Sequence, residues 1–237
     1  MTARWSGELN GAWSMLGSPH LLPPIAAAGF DWLCLDAQHG RFDDASIIAG
    51  LAELGAAQIR TVVRVRSLDA GLIGRALDAG ADGVIVPMVA NAEQAAEAVR
   101  ATFYPPLGER SWGPIASYES SGETPEVMCA VMIETAPGLA NATEIAATPG
   151  LGMIFVGPID LSLALGLELD QLLEDFGKSS PLATIVASCE RAGIVAGAFA
   201  GTPERAVLLR RHGFTVVATV TDALIATRGG RLLLSQP

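Results

Sequence analysis

Short runs of branched and apolar residues recur at Gly11–Leu16, Asp31–Asp36, Gln58–Val65, Gly83–Val89, Val127–Glu134, Met153–Gly157, Gly193–Ala198 and Phe214–Val220. Polar and apolar positions alternate only weakly within them, as expected of parallel strands covered on both faces. The intervals are long enough for helices. Asp43–Leu54, Ala70–Ala79, Ala92–Ala101, Gly138–Ala147, Pro181–Ala192 and Pro203–Arg211 have helical composition and spacing. In AAAGFDWLCLD, ALDAGADGVIVP and CERAGIVAGAF a glycine separates the Ala-rich stretch from the next strand, where a helix would end. Asn91 predicts a cap for the helix at Ala92, with Glu93 near its positive end. Thr202 before Pro203 predicts another helix start.

Eight such units closing on themselves make an α/β fold, a (β/α)8 TIM barrel occupying residues 1–237 as one domain. A doubly wound open sheet is the main alternative, but no GxGxxG turn joins the first strand to its helix. The segment ATFYPPLGERSWGPIASYESSGETP, residues 101–125, has paired prolines and glycines that favour an ordered excursion, placed to cover the barrel mouth or to meet a neighbouring subunit.

Composition narrows the functional classes. The chain has 237 residues, 50% of them hydrophobic and only 5% aromatic, with 26 glycines. That excludes a disordered chain and calls for a core of Ala, Val, Ile and Leu. A net charge of −10 argues against a nucleic-acid partner, although local arginines can still dominate a pocket. The N-terminal MTARWSGELNGAW lacks a signal segment, and no run reaches the roughly 18 apolar residues of a membrane span, so a cytoplasmic protein with no membrane partner is expected. A mean hydropathy of +0.40 then points to buried strands and an oligomer interface. Cys34, Cys129 and Cys189 are too scattered for a disulfide framework or a zinc motif and read as buried small side chains.

On a barrel, residues beyond the C-terminal strand ends converge on one face. Glu134 ends one strand and Asp160 follows another, and two carboxylates there suit Mg²⁺ or Mn²⁺; the competing reading is two unrelated acidic strand caps. His39 is a proton-transfer candidate or an ordinary turn residue, with Asp36 close enough in sequence to orient its ring. Of Arg60, Arg64 and Arg66, one must face the interior or mouth, and Arg64 could clamp a carboxylate or enolate oxygen there; an exposed strand ion pair is the alternative. His20 and His212 read as a loop residue and a helix-end charge, and the glycines of Ala196–Gly201 are only a weak anion cradle. Lys178, the sole lysine, reads as a solvated loop charge, which disfavours Schiff-base chemistry.

Together these residues resemble the HpcH/HpaI family of class II, metal-dependent 2-keto acid aldolases. DWLCLDAQHG is similar to its early catalytic segment, GADGVIVPMV and YPPLGERSWGP to its central segments, and VMIETAPGLANATEIAATPGLGMIFVGPIDLSLALG to its metal- and substrate-binding half. The resemblance implies that Glu134 and Asp160 bind a divalent cation, Mg²⁺ or Mn²⁺ with Co²⁺ also admissible. It implies that His39 works with Asp36 in proton transfer, that Arg64 contacts keto-acid oxygens, and that Gly157, Pro158 and Ile159 present backbone groups to the substrate carboxylate. Asp78 resembles an acidic residue that acts across a subunit boundary. The family implies a hexamer, a trimer of dimers that exchange their last helix, and aldol addition of pyruvate or hydroxypyruvate to an aldehyde, reversed as cleavage of 4-hydroxy-2-oxo acids. An acyl-CoA lyase of the malyl or citryl type, another carbon-bond-forming or decarboxylating branch, and a noncatalytic keto-acid-binding barrel are the alternatives. Gln38, Met132 and Ile159 depart from the family's glutamate, glutamine and alanine.

Overall fold

Eight parallel strands close in chain order into a barrel: β1 (Leu9–Ser14), β2 (Trp32–Asp36), β3 (Arg60–Arg64), β4 (Gly83–Val86), β5 (Met128–Ile133), β6 (Met153–Val156), β7 (Val195–Phe199) and β8 (Val216–Thr221). This computed structural model describes residues 3–55, 57, 59–113, 115 and 126–235. Gln58, where the sequence starts its third strand, lies outside them. The helices are α1 (Leu22–Ala27), α2 (Asp44–Leu54), α3 (Ala70–Asp78), α4 (Ala92–Thr102), α5 (Ala136–Ala140), α6 (Ala142–Ala146), α7 (Pro158–Leu165), α8 (Leu169–Glu174), α9 (Pro181–Ala192), α10 (Pro203–His212) and α11 (Asp222–Leu234). The expected helix Gly138–Ala147 is two short ones that meet at Asn141. The caps are as expected: Asn91 accepts the Gln94 amide, and Thr202 the Arg205 amide beside Pro203. Among the described residues no helix is long and apolar enough to cross a membrane.

Side chains alternate between two environments along every strand. Outward residues such as Leu33, Leu35, Val63, Val84, Val131, Ile133 and Ile154 pack under the helices. Inward residues fill the barrel with a second apolar cluster that includes Trp13, Trp32, Cys34, Val62, Ile85, Met132 and Phe155. Phe155 stacks on Trp13 at 5.5 Å and meets Trp32 edge-on at 6.1 Å, so aromatic rings plug the interior. Continuing the same inward series by two residues leads from Cys34 to Asp36, from Val62 to Arg64 and from Met132 to Glu134. The packed interior therefore ends in a charged layer at the C-terminal mouth.

The excursion after α4 leaves and rejoins the barrel at its opposite end, because it links the end of a helix to the start of β5. Its described part lies against the helix termini there, with the Glu109 amide donating to Arg100 and the Ile115 amide to Asp78. This part does not cover the chain's own mouth; residues 114 and 116–125 lie outside the described residues.

Phe155 supports the floor of the charged layer and is fully buried. Phe155→Ala should cost about 3–5 kcal/mol of stability in denaturant unfolding, and Phe155→Leu markedly less.

Candidate active site

Asp36 and Arg64 are direct partners in the β2–β3 register, and both point inward. Their pairing follows from that register. Arg64 Nε donates to Asp36 Oδ1 at 2.8 Å and Nη2 to Oδ2 at 2.6 Å, a bidentate ion pair between two buried side chains. Trp13, an inward residue of β1, adds its indole N–H to Asp36 Oδ2 at 3.1 Å, and Arg64 lies over the Trp13 ring at 5.1 Å. Burial alone would raise the Asp36 carboxyl; the hydrogen bonds and charge of Arg64, with the Trp13 bond, outweigh it and hold it below its usual range.

The turn after β2 carries His39, which is exposed. Asp36 Oδ1 accepts the backbone amides of Gln38 at 3.0 Å and His39 at 3.3 Å. This corrects the expected imidazole contact: Asp36 positions His39 through its backbone, and its carboxylate is committed to Arg64. Two inward arginines, not one, occupy β3. Arg60 lies over Trp5 at the far end and donates to the Asp31 carbonyl, while Arg64 reaches the mouth.

Glu134 follows β5 and is 2% exposed. Its Oε1 accepts the Met88 amide at 2.8 Å, and Met88 holds φ at +60°, a conformation uncommon for a residue with a side chain and costly by about 1–3 kcal/mol. A Cβ on Gly157 would fall 2.7 Å from Glu134 Oε2, so glycine is what allows the carboxylate its place. Burial and the negative charge of Asp160 raise Glu134 against the opposing Met88 amide and Arg64 charge. Asp160 is exposed in the first turn of α7. Pro158 has no N–H, so the backbone donors of this stretch come from its neighbours; the amides of Ile159 and Asp160 have no intrahelical acceptor.

Other candidates fall elsewhere. Asp78 ends α3 at the opposite end of the barrel, where Arg110 donates to it at 2.6 Å. His20 contacts Glu53 on the surface, and His212 Nε2 lies against the Leu173 carbonyl. The anion cradle at Ala196–Gly201 is filled from within: the Ala200 and Gly201 amides both donate to the Ala218 carbonyl. All three thiols are buried and free, and burial pushes Cys129 and Cys189 up to about 12. Trp13 and Met88 were missed as site residues; two-residue alternation along β1 points to Trp13, whereas nothing in the sequence marks the left-handed turn at Met88.

Residues 10–227 match the HpcH/HpaI aldolase/citrate lyase model. The chain belongs to that family. It is 36% identical over 243 residues to a hydroxypyruvate/pyruvate aldolase of Paraburkholderia phytofirmans, covering 96% of this chain and 92% of that one. It is 33% identical over 244 residues to a 2-dehydro-3,6-dideoxy-6-sulfogluconate aldolase of Pseudomonas putida, covering 99% and 94%. A crystal structure of an HpcH/HpaI aldolase/citrate lyase family protein from Burkholderia cenocepacia superposes with a TM-score of 0.86 at 32% identity, covering 96% of this chain and 93% of that one. As a member of the HpcH/HpaI family, this protein is a carbon–carbon lyase on a (β/α)8 barrel, with the charged layer at the face where such barrels carry their chemistry.

Asp36→Asn should cost about 3–5 kcal/mol at neutral pH by leaving Arg64 buried without its counter-charge. Because the folded carboxyl sits below its usual value, its contribution is full above about 3.9 and is lost as pH falls through the folded pKa. Unfolding measured across that acid range should show the gap between wild type and variant closing.

Proposed function

We propose that the protein is a divalent-metal-dependent aldolase that joins pyruvate or hydroxypyruvate to an aldehyde and cleaves 4-hydroxy-2-oxo acids. The observation that carries this reading is the convergence of Arg64 and Glu134 at one mouth, with Asp160 close enough to raise Glu134. Two neighbouring carboxylates, one of them buried, fit Mg²⁺ or Mn²⁺, because a hard cation removes the repulsion between them. Among the described residues no group of three or more His, Cys, Asp or Glu side chains offers a metal cage. A two-carboxylate site suits a cation that keeps positions for substrate oxygens. When bound, the cation supplies Lewis-acid charge toward the keto acid.

Glu134 and Asp160 would hold the cation. The first-turn amides of α7 favour the substrate carboxylate. Among the described residues Arg64 Nη1 has only the weakly accepting Met132 sulfur at 4.0 Å beside it, so it can donate to the keto oxygen as negative charge grows there. His39 removes a proton from the carbon next to the ketone, the carbon pair attacks the aldehyde carbon, and the new alkoxide takes up a proton. Cleavage runs these transfers backwards. Exposure of His39 allows a water to carry the proton.

The wider reading is a cytoplasmic hexamer, a trimer of dimers. It is supported by three free thiols and by Leu232, Leu233 and Leu234 of α11, which are 60%, 72% and 90% exposed in the single chain. In such an assembly Asp78 and Arg110 would serve the mouth of a neighbouring copy.

Glu134→Gln and Asp160→Asn should each abolish most of the pyruvate release that Mg²⁺, Mn²⁺ or Co²⁺ restores after chelation, while the barrel stays folded by circular dichroism. Near-normal turnover and metal affinity in both would overturn the assignment. His39→Ala should slow deuterium exchange at the pyruvate methyl by about 10²–10⁴-fold with little change in pyruvate binding. Equal exchange rates would place the base elsewhere.

A further inference from the structure

Asp222, the first residue of α11, is 3% exposed and is the one buried residue of that helix. Its Oδ2 accepts the Ser14 hydroxyl at 2.7 Å and the amides of Met15 and Leu16, each at 2.9 Å. Its Oδ1 accepts the Ala223 amide at 2.8 Å. A carboxylate thus gathers three donors from the turn that ends β1, and hydrogen bonds to a charged acceptor are about twice as strong as neutral ones.

That turn in turn holds another. The Met15 carbonyl accepts the Arg41 amide at 2.9 Å. Gly17, at φ +71°, approaches Arg41 so closely that a Cβ would meet the Arg41 carbonyl at 2.7 Å. Arg41 lies two residues beyond His39. The near side of the same segment is held by Asp36, which accepts the Gln38 and His39 amides and is itself held by Trp13 of β1. The segment bearing His39 is therefore pinned on one side by Asp36 and on the other by a turn whose shape Asp222 sets.

We propose that Asp222 is a positioning residue for His39, acting through the Ser14–Gly17 turn and the Met15–Arg41 hydrogen bond. The catalytic consequence rests on the role of His39 in the reaction proposed above; the structural coupling does not. An asparagine cannot replace the carboxylate. If its oxygen meets the β1 turn, its NH₂ faces the Ala223 amide, donor against donor, and the charge is gone in either orientation.

The test uses the full-length protein with Asp222→Asn and the milder Ser14→Ala, which removes one of the three donors and keeps the proposal testable if the first variant fails to fold. Amide hydrogen exchange is read at Met15, Leu16 and Arg41, and deuterium entry into the pyruvate methyl is read in both variants and in each combined with His39→Ala. The expected result is faster exchange at Arg41 and a loss of methyl exchange of about tenfold in Asp222→Asn, smaller in Ser14→Ala, with pyruvate KM unchanged. In the His39→Ala background neither change should cost anything further, because both act through the missing ring. Wild-type protection at Arg41, or losses that add to that of His39→Ala, would overturn the proposal. If the wild-type protein does not exchange the pyruvate methyl, the keto-acid reading fails. The coupling is then decided by Arg41 protection and the His39 ring signals in ¹H–¹⁵N NMR: a change in both upholds it, and no change in either overturns it.

Discussion

The buried pair of Asp36 and Arg64 is the constraint around which the mouth is organised. Below it the barrel holds aromatic rings, sulfur and aliphatic side chains, a setting in which an isolated charge would cost several kcal/mol. The β2–β3 register sets the two charges directly opposite each other, and bidentate geometry uses both carboxylate oxygens. The Trp13 indole and two backbone amides complete the carboxylate. Arg64 is thereby fixed as a rigid cation with one nitrogen turned away from the pair. Such a group is oriented in advance, its planar fork held in one direction by the carboxylate.

Two carboxylates of the same layer are shifted in opposite directions. Asp36, met by a guanidinium, is held low; Glu134, buried with Asp160 as a neighbour, is raised. Asp36 is saturated by its partners, whereas Glu134 has one oxygen held by the Met88 amide and its other oxygen against Gly157, which has no side chain of its own. The strained backbone at Met88 is consistent with that arrangement, since an amide aimed at Glu134 is what the unfavourable φ provides.

Much of this was legible before the structure. The recurrence of apolar runs led to eight strands, and strand-end position led to Asp36, His39, Arg64, Glu134 and Asp160. What sequence spacing could not supply was register. Spacing alone puts the His39 ring nearest to Asp36, whereas the register pairs it with Arg64, 28 positions on. Asp222 lies 208 positions from Ser14 and looks like an ordinary helix start until β8 is closed onto β1. The glycines at Ala196–Gly201 suggested free amides, but closing β7 onto β8 uses those of Ala200 and Gly201. Short helices such as α7 and α8 are too brief to show periodicity.

The departures from the family pattern now have physical surroundings. Gln38 Oε1 is buried without a hydrogen-bond partner among the described residues, a tolerable cost for a neutral amide and a much larger one for a glutamate carboxylate. The glutamine therefore spares the turn a second buried charge next to one already neutralised. Met132 places a weakly accepting thioether beside Arg64 Nη1, where a side-chain amide oxygen would compete for the donor. Ile159 is 42% exposed, so its bulk borders the mouth instead of filling the interior. These changes leave the charged layer intact and alter what surrounds it. Arg64 keeps its bidentate partner, and beside its remaining nitrogen stands a weak thioether acceptor where a side-chain amide would bind that donor more strongly.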